Sequence, residues 1–507
     1  MQGPAPICGP QTFGRPYFVD CDRHSPGQCA RQHIGGRLLP DSEKELTERI
    51  TFSMVEAVFA ALKAGGEISL LGPKGLSSSR GERIVVHNVL VSAGTLSAGV
   101  LGFAFQVVIS HRVEPSQYGA IFVVMTLLML VGLPASALTL MMAREASRDR
   151  ANGQHASSAA MLHDGNRILL LGGVIIAAVA LVMSPLLSRF FAVPIDLLVA
   201  GSIGLPFVFA LPLLIGDLQG EQRFLAFSSM AFGQAAFKLI AAVTLGVAFG
   251  AVGIVLGVSL GSALSYGVVH VLLRRKLSIK ARWPWQRPAI AYLSILVPST
   301  LALAVLLSAD VLLVKHFFSD RAAGEYAAVV ALSRALYYAA AGVSIVLFPK
   351  VIFRESQGAS GSPLVWLSVG LVITGGLVGL VVLTLASSFF LSAFAGSGYV
   401  GGAAYLPWYA AGMTLLGAAA VLIATHQTSG RREFLAVLIP LAVLEPIAIL
   451  FFHRSLMQVV QVVDICMLML VGGLGVLYLV QKSSARAIVF GPTRDLAVEV
   501  GPVEAIL

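Results

Sequence analysis

Two basic side chains stand inside long apolar stretches of the chain, where a charge is costly. Lys238 interrupts AFKLIAAVTLGVAF and Arg334 interrupts VVALSRALYYAAA. A charge at the centre of a hydrocarbon layer costs about 2.5 to 3.5 kcal/mol or more, so it indicates a polar cavity or an ion pair. At about 1.5 Å of rise per residue, both lie roughly 15 to 24 Å from the surface at which their helices begin. We expect them to face a central cavity and bind an anionic group, which suits the planar fork of arginine.

Four other ionisable residues offer different chemistry. Asp310, near the end of one apolar run, and Glu445 and Asp464, in the last two runs, could pair with the basic residues and only hold helices together. Alternatively, these acids together with His87 could relay protons or bind a coupling cation. For His87, which lies where the first apolar run begins, an interfacial polar role is the commoner one.

The elements that carry these residues are strongly apolar. Of 507 residues, 57% are hydrophobic and 12% charged, and the mean hydropathy is +0.84, against a charged share of about a quarter in soluble domains. Apolar runs repeatedly reach the ~20 residues that cross ~30 Å of hydrocarbon, and no alternating strand pattern competes. The sequence therefore predicts an all-α polytopic membrane protein. Twelve spans lie near 84–110, 118–142, 168–188, 196–216, 224–248, 251–273, 289–314, 324–348, 364–390, 403–425, 433–453 and 457–481. The fifth and sixth spans are divided by the glycine pair Gly250 and Gly253.

The distribution of Lys and Arg predicts the orientation, because basic loops stay on the cytoplasmic side. If the N-terminus is inside, the inside segments hold 28 basic residues and the outside loops hold 5. Both termini are therefore predicted to be cytoplasmic. The sequence pI near 9.5 follows from this topology, so it gives no reason to expect nucleic-acid binding.

The spans divide into two bundles of six around a basic midpoint, RRKLSIKARWPWQRP.

The polar tail holds three of the four cysteines at spacings that fit no zinc site, so neither a metal nor a cofactor is expected. Within that tail, Ser42 and Glu45 match a capping box that begins an amphipathic helix. The predicted segments are a polar tail 1–83 with an amphipathic helix at about 42–64, an N-terminal bundle 84–273, a linker 274–288, a C-terminal bundle 289–481 and a tail 482–507.

A short polar hairpin opens each half. SHRVEPSQYGAI precedes the second span and KHFFSDRAAGEYAAV precedes the eighth. In the first hairpin, Pro115 can occupy a first helical turn and Tyr118 is expected at the level of the lipid headgroups. Tyr118-Gly119 and Tyr326-Ala327 hold corresponding places in the two halves. Two like-oriented bundles of six with a path between them are typical of transporters.

The run LVSAGTLSAGVLGFAFQVVISHRVEPSQYGAIFVVMTLLMLVGLPASALTLMMAREAS resembles the opening of the bacterial Wzx-type polysaccharide flippases, of the multidrug/oligosaccharidyl-lipid/polysaccharide (MOP) exporter superfamily. The resemblance covers about residues 80–482, and the long polar tail departs from the family. Members show a glycine-rich first helix ending in a basic residue, a Tyr-Gly pair, and a second helix ending in Ala-Arg. The corresponding residues here are Gly94, Gly99, Gly102, Arg112, Tyr118, Gly119, Ala143 and Arg144.

The resemblance implies a flippase of the bacterial inner membrane that moves a polyprenyl-diphosphate-linked oligosaccharide across it by alternating access, for exopolysaccharide, capsule or O-antigen synthesis. It also implies membrane lipids, a polysaccharide polymerase and export machinery as partners. Lys238 and Arg334 would then bind the diphosphate. Tyr337 and Tyr338, one turn past Arg334, could stack on sugar rings, although core packing is the commoner use of such aromatics.

Two other functions stay open, while an enzyme is not expected. No GxSxG, HExxH or phosphate-binding glycine-rich motif is present, and the outside loops are too short for a separate binding lobe. A cation-coupled multidrug antiporter of the same superfamily would use acidic cavity residues, and a non-transporting scaffold would bury the basic ones in ion pairs. The set of charges facing the cavity should distinguish these functions.

Overall fold

The computed structural model describes residues 80–151, 153, 156–279, 287–356, 362–428 and 432–489. The predicted polar tail with its amphipathic helix lies outside this part of the chain, as do residues 280–286 of the predicted linker and the C-terminal tail from residue 490. In the described part the chain is helical throughout, with short turns and no strand.

Helices joined by short turns make up the described N-terminal half. They are α1 Arg80–Ser110, α2 Pro115–Gly132, a 3-10 turn Leu133–Ala135, α3 Ser136–Ala151, α4 Ala156–Phe191, α5 Ile195–Ser202, α6 Leu205–Gly220 and α7 Phe224–Leu277.

The described C-terminal half is also built of helices. Its helices are α8 Arg287–Leu306, α9 Ala309–Phe317, α10 Asp320–Ser356, α11 Ser362–Leu385, α12 Ser387–Ala395, a 3-10 helix Ser397–Ala404, α13 Leu406–Thr428, α14 Leu435–Phe451 and α15 Leu456–Val489.

The twelve predicted spans all coincide with helices, and several of them are interrupted. The 3-10 turn divides the second span, and short breaks separate α5 from α6, α8 from α9 and α11 from α12. Eight helical segments of the described part are long and apolar enough to cross a membrane, and two shorter apolar helices accompany them, Gly94–Ser110 and Leu435–Phe451. The prediction of an all-α polytopic membrane protein in two six-helix bundles is confirmed.

Helix α7 carries two predicted spans that fold back on each other at Gly250. This residue has φ 59° and ψ −138°, in the left-handed region that glycine adopts at little cost. Beyond the turn, GIVLGVSLG places a glycine at every fourth position, which allows close packing of membrane helices. A Cβ on Gly261, for example, would lie 2.6 Å from Cα of Lys238. The glycines therefore set the two arms of α7 at backbone contact and fix the position of Lys238.

The outer surface of the bundles is apolar, as a lipid-facing surface must be. Val182 is 79% and Leu385 82% exposed. We call the end of the molecule where α1 turns into α2, and α9 into α10, the hairpin end. Helix α2 begins there at Pro115, as predicted. Tyr118, which we expect at the level of the headgroups, is 1% exposed, so its ring packs inside the protein and not against lipid.

Candidate functional site

Lys238 supplies a cation to the interior of the N-terminal bundle. Its ammonium lies 4.5 Å from the centre of the Phe105 ring of α1, a geometry in which the ring face attracts the charge. The side chain is half-buried. Among the described residues, no carboxylate oxygen lies within 4 Å of it. The described acidic residues of this bundle lie near the ends of its helices, so Lys238 is an unneutralised charge at mid-helix.

Arg334 supplies the cation of the C-terminal bundle, and it is almost fully buried. The guanidinium donates a hydrogen bond to the carbonyl oxygen of Leu307, in the break between α8 and α9. Within the described part of the chain, its Nε has no hydrogen-bond partner. The guanidinium also lies 5.6 Å from the ring centre of Phe122, which belongs to the other bundle. Interrupted helices that free backbone carbonyls are typical of substrate and ion sites in transporters.

Asp310 begins α9 immediately after that break and is completely buried. Its Oδ2 accepts hydrogen bonds from the hydroxyls of Tyr326, at 2.9 Å, and Tyr409, at 2.7 Å. Its Oδ1 has no partner among the described residues. The two hydroxyls satisfy one carboxylate oxygen of Asp310, and the other oxygen remains available to a ligand.

Glu445 of α14 is also completely buried, and neither of its carboxylate oxygens has a hydrogen-bond partner in the described structure. It interacts electrostatically with Asp310 and Arg334. Two serine hydroxyls are likewise buried without described partners. Ser308 immediately precedes α9, which carries Asp310, and Ser333 lies next to Arg334 on α10. An unpaired buried carboxylate is costly, so this arrangement suits a proton or a cation.

The structure brings part of the predicted set together. Arg334, Asp310 and Glu445 form one buried cluster, while Lys238 lies in the other bundle. The direct ion pairs that were the alternative to substrate binding are not formed, since no described carboxylate oxygen comes within 4 Å of the Arg334 guanidinium. Asp464 makes no described hydrogen bond to this cluster, and its buried Oδ1, which has no described partner, lies beside Gly412 of α13.

The remaining predicted residues lie near helix ends. His87 is on α1, in a segment whose side chains are outside the described part. Arg112 is exposed and lines a cavity of about 130 Å³ beside the α7 turn. Gly119 packs against the backbone of α10. Arg144, at the far end from the hairpins, lies 5.1 Å from the Tyr292 ring centre and joins α3 to α8.

Sequence reasoning missed the two tyrosines that hold Asp310. Tyr326 was noted only as the aromatic at the start of a helix, and Tyr409 was not singled out. Both side chains are at most 1% exposed. A buried tyrosine hydroxyl needs a partner, so a tyrosine within an apolar span was the available signal.

By sequence, no family model and no curated protein matches the chain. Solved structures do match. An inward-facing multidrug resistance MATE family transporter of the MOP superfamily aligns with TM-score 0.64 and 15% identity, covering 79% of this chain and 100% of that one. A eukaryotic MATE transporter aligns with TM-score 0.58 and 13% identity, covering 80% and 99%. The MATE multidrug transporter DinF-BH aligns with TM-score 0.57 and 19% identity, covering 76% and 92%.

At these identities the likeness establishes the fold, which is that of MATE transporters of the MOP superfamily. The chain spans nearly the whole of each matched protein. Its residues 1–79 fall outside the described part. The fold found here is therefore that of the MOP superfamily, which the opening run of the sequence resembles.

Proposed function

We propose that this protein is a transporter that moves a lipid-linked oligosaccharide with a diphosphate group across the membrane by alternating access. The observation that carries the proposal is Lys238, an unneutralised cation inside the described N-terminal bundle. A protein that exports cationic drugs would place the opposite charge there. The fold, which is that of MATE transporters, supports a transport role.

The two cations have complementary features for an anionic headgroup. Lys238 is a compact charge with three donors, whereas Arg334 offers a planar fork with Nε still unpaired among the described residues. Each lies over an aromatic ring of the first two helices, Phe105 and Phe122. A diphosphate could engage both bundles at once, and its lipid chain would remain in the bilayer.

An exposed aromatic side chain lies close to Arg334 along α10. Tyr338 is 56% exposed, and its ring meets that of Tyr337 at 5.3 Å with the two planes at 61°. Tyr338 is therefore too exposed to be a core-packing residue, which is the commoner use of such an aromatic. An exposed tyrosine ring one turn from a phosphate-binding arginine is suited to stacking on a sugar.

The acidic cluster supplies a means of coupling. Asp310 and Glu445 are buried with three oxygens between them that have no partner in the described structure. Binding of a proton or a cation there would neutralise charge beside Arg334 and change how strongly its guanidinium attracts the substrate. We further propose, from the distribution of basic residues, that both termini face the cytoplasm and that the membrane is the bacterial inner membrane.

The test is lipid analysis of a host deleted for this gene. The deletion is complemented with wild type, Lys238→Ala, Arg334→Ala or the conservative Lys238→Arg, and diphosphate-linked oligosaccharide on the inner leaflet is quantified. Losing one charge-assisted contact should reduce transport about 10- to 100-fold. Arg189→Ala, which removes an exposed basic residue, is the matched control.

Accumulation in the deletion and in both alanine variants, but not in Lys238→Arg or Arg189→Ala, supports the proposal. The buried Asp310 and Glu445 favour a second candidate, the cation-coupled multidrug antiporter. That function requires no accumulation in the deletion, together with increased sensitivity to cationic drugs. Such a result would refute the flippase assignment.

A further inference from the structure

We infer that a small cavity at the hairpin end of the N-terminal bundle binds the phosphate of an anionic membrane phospholipid. The cavity measures about 130 Å³ and lies between the end of α1, the start of α2 and the turn of α7 at Gly250. Pockets that enclose a drug-sized molecule measure about 300 to 1,000 Å³. This cavity is therefore too small for an oligosaccharide or a drug, and its size suits a phosphate group with the first atoms attached to it.

Most of the cavity wall is apolar. Helix α1 contributes Val108, and the two arms of α7 contribute Val243 and Ile254. The turn between these arms lies at the surface that faces lipid, where Phe249 is 63% exposed next to the cavity-lining Gly250. The glycerol and acyl-chain end of a phospholipid can therefore contact apolar atoms there, whereas a free phosphate ion would gain nothing from the same wall.

Two polar side chains of the first hairpin, Arg112 and Gln117, line the same cavity. Within the described structure, neither side chain has a hydrogen-bond partner, and no carboxylate oxygen lies within 4 Å of the Arg112 guanidinium, that of the exposed Glu114 included. The planar guanidinium can hold two oxygens of one phosphate, and the carboxamide NH₂ of Gln117 can donate a further hydrogen bond to the same group.

The first turn of α2 adds a positive potential beside these donors. Its N-cap residue Glu114 makes no side-chain capping hydrogen bond, and Pro115 takes the first helical position. The backbone amides that begin a helix have no partner within it, and the helix dipole favours a negative group near them. Because Gln117 belongs to this turn and also lines the cavity, the helix start and the Arg112 charge act on one ligand position.

The charge of Arg112 also selects among phospholipids. A lipid with a net negative charge is attracted as a whole, whereas a zwitterionic lipid carries its own ammonium group, which offsets the attraction. Phosphatidylglycerol should therefore bind in preference to phosphatidylcholine. A lipid held there contacts α1, α2 and both arms of α7, so it would stabilise the packing of the α7 turn against the first hairpin.

A fluorescent reporter beside the cavity tests the site. In a background with the four cysteines replaced by alanine, Ala248→Cys is labelled with bimane and the protein is reconstituted in phosphatidylcholine vesicles. The vesicles contain a small fraction of phosphatidylglycerol or phosphatidylcholine that carries a nitroxide on its acyl chain, and quenching measures how strongly each lipid is concentrated at the reporter. Phosphatidylglycerol should be preferred about tenfold. A reporter at Leu385→Cys, which is 82% exposed on the other bundle, should show little preference.

Three variants separate the cavity from general surface charge. Arg112→Gln should remove the tenfold preference at the Ala248→Cys reporter, and Ala251→Leu, which fills the cavity and keeps Arg112, should lower it severalfold. Arg189→Gln removes an equal charge from an exposed position at the end of α4 and should leave the preference unchanged. Gln117→Leu carries the cavity test if Ala251→Leu does not fold, since Gln117 is exposed and its replacement removes only the second donor.

The site is supported if the preference falls in Arg112→Gln and in the cavity variant but not in Arg189→Gln. It is overturned if Arg112→Gln keeps the preference, if Arg189→Gln loses it equally, or if the cavity variant behaves like wild type. Loss of the preference on adding inorganic phosphate would also overturn it, because the ligand would then be a soluble anion. No step of the test involves transport, so this site and the flippase proposal can fail separately.

Discussion

Replacement of Arg334 by leucine should destabilise the protein, and removal of Glu445 should reverse part of the loss. Arg334 is the basic group that interacts with the buried carboxylates of Asp310 and Glu445. The separation of more than 4 Å limits each attraction to less than about 4 kcal/mol at an effective dielectric constant of ~20. Removing one partner of a buried charge group typically costs about 3 to 5 kcal/mol.

We therefore expect Arg334→Leu to lower the free energy of unfolding by about 3 kcal/mol, including about 1 kcal/mol for the hydrogen bond to Leu307. With an unfolding entropy of about 2 cal/mol/K per residue, the Tm of a chain this long falls by about 3 °C. Adding Glu445→Leu should recover about 2 °C, because it removes the buried carboxylate that Arg334→Leu leaves without a counter-charge.

The assay is thermal unfolding in detergent, followed by the loss of monodisperse protein on size-exclusion chromatography. Arg454→Leu, at an exposed position of the same bundle, serves as control and should change stability by no more than about 0.5 kcal/mol. If Arg334→Leu keeps the wild-type Tm, or if Glu445→Leu deepens the loss instead of reversing it, the charges are not coupled as described.

Three further changes test other parts of the structure. Lys238→Glu should abolish transport and Lys238→Arg should retain most of it. The measurement is accumulation of the lipid-linked substrate, and equal activity of the two variants would show that the charge does not contact substrate. Lys276 contacts both Asp217, at 2.6 Å, and Glu221, at 2.7 Å, so Lys276→Met should lower the Tm by about 3 to 5 °C, and Asp217→Asn in the same chain should restore part of it. Gly250→Ala should cost about 1 to 3 kcal/mol through its positive φ, whereas a Tm unchanged from wild type would show that the α7 turn tolerates a side chain.

Some residues of the candidate site can be recognised from the local sequence, whereas others matter only through contacts that the sequence does not show. Lys238 and Arg334 were identified from sequence because a charge in an apolar run stands out whatever its surroundings. Their neighbours were not predictable, since Phe105, Phe122 and Leu307 are ordinary apolar residues that matter only through contact. The pairing of Asp310 with Tyr326 and Tyr409 depends on three different helices, and sequence spacing carries no information on such long-range contacts.

The sequence by itself determined the membrane class, the helices and their division into two bundles, because hydropathy and helix length are properties of local segments. It also located the turn at Gly250, since glycine is the residue that tolerates a positive φ. The tertiary structure decided which charges meet, that no described carboxylate lies within 4 Å of Lys238 or Arg334, and that the two hairpins pack against each other at Gly324. Those features depend on how helices pack over long sequence distances, and packing is fixed by the whole set of contacts and not by any one segment.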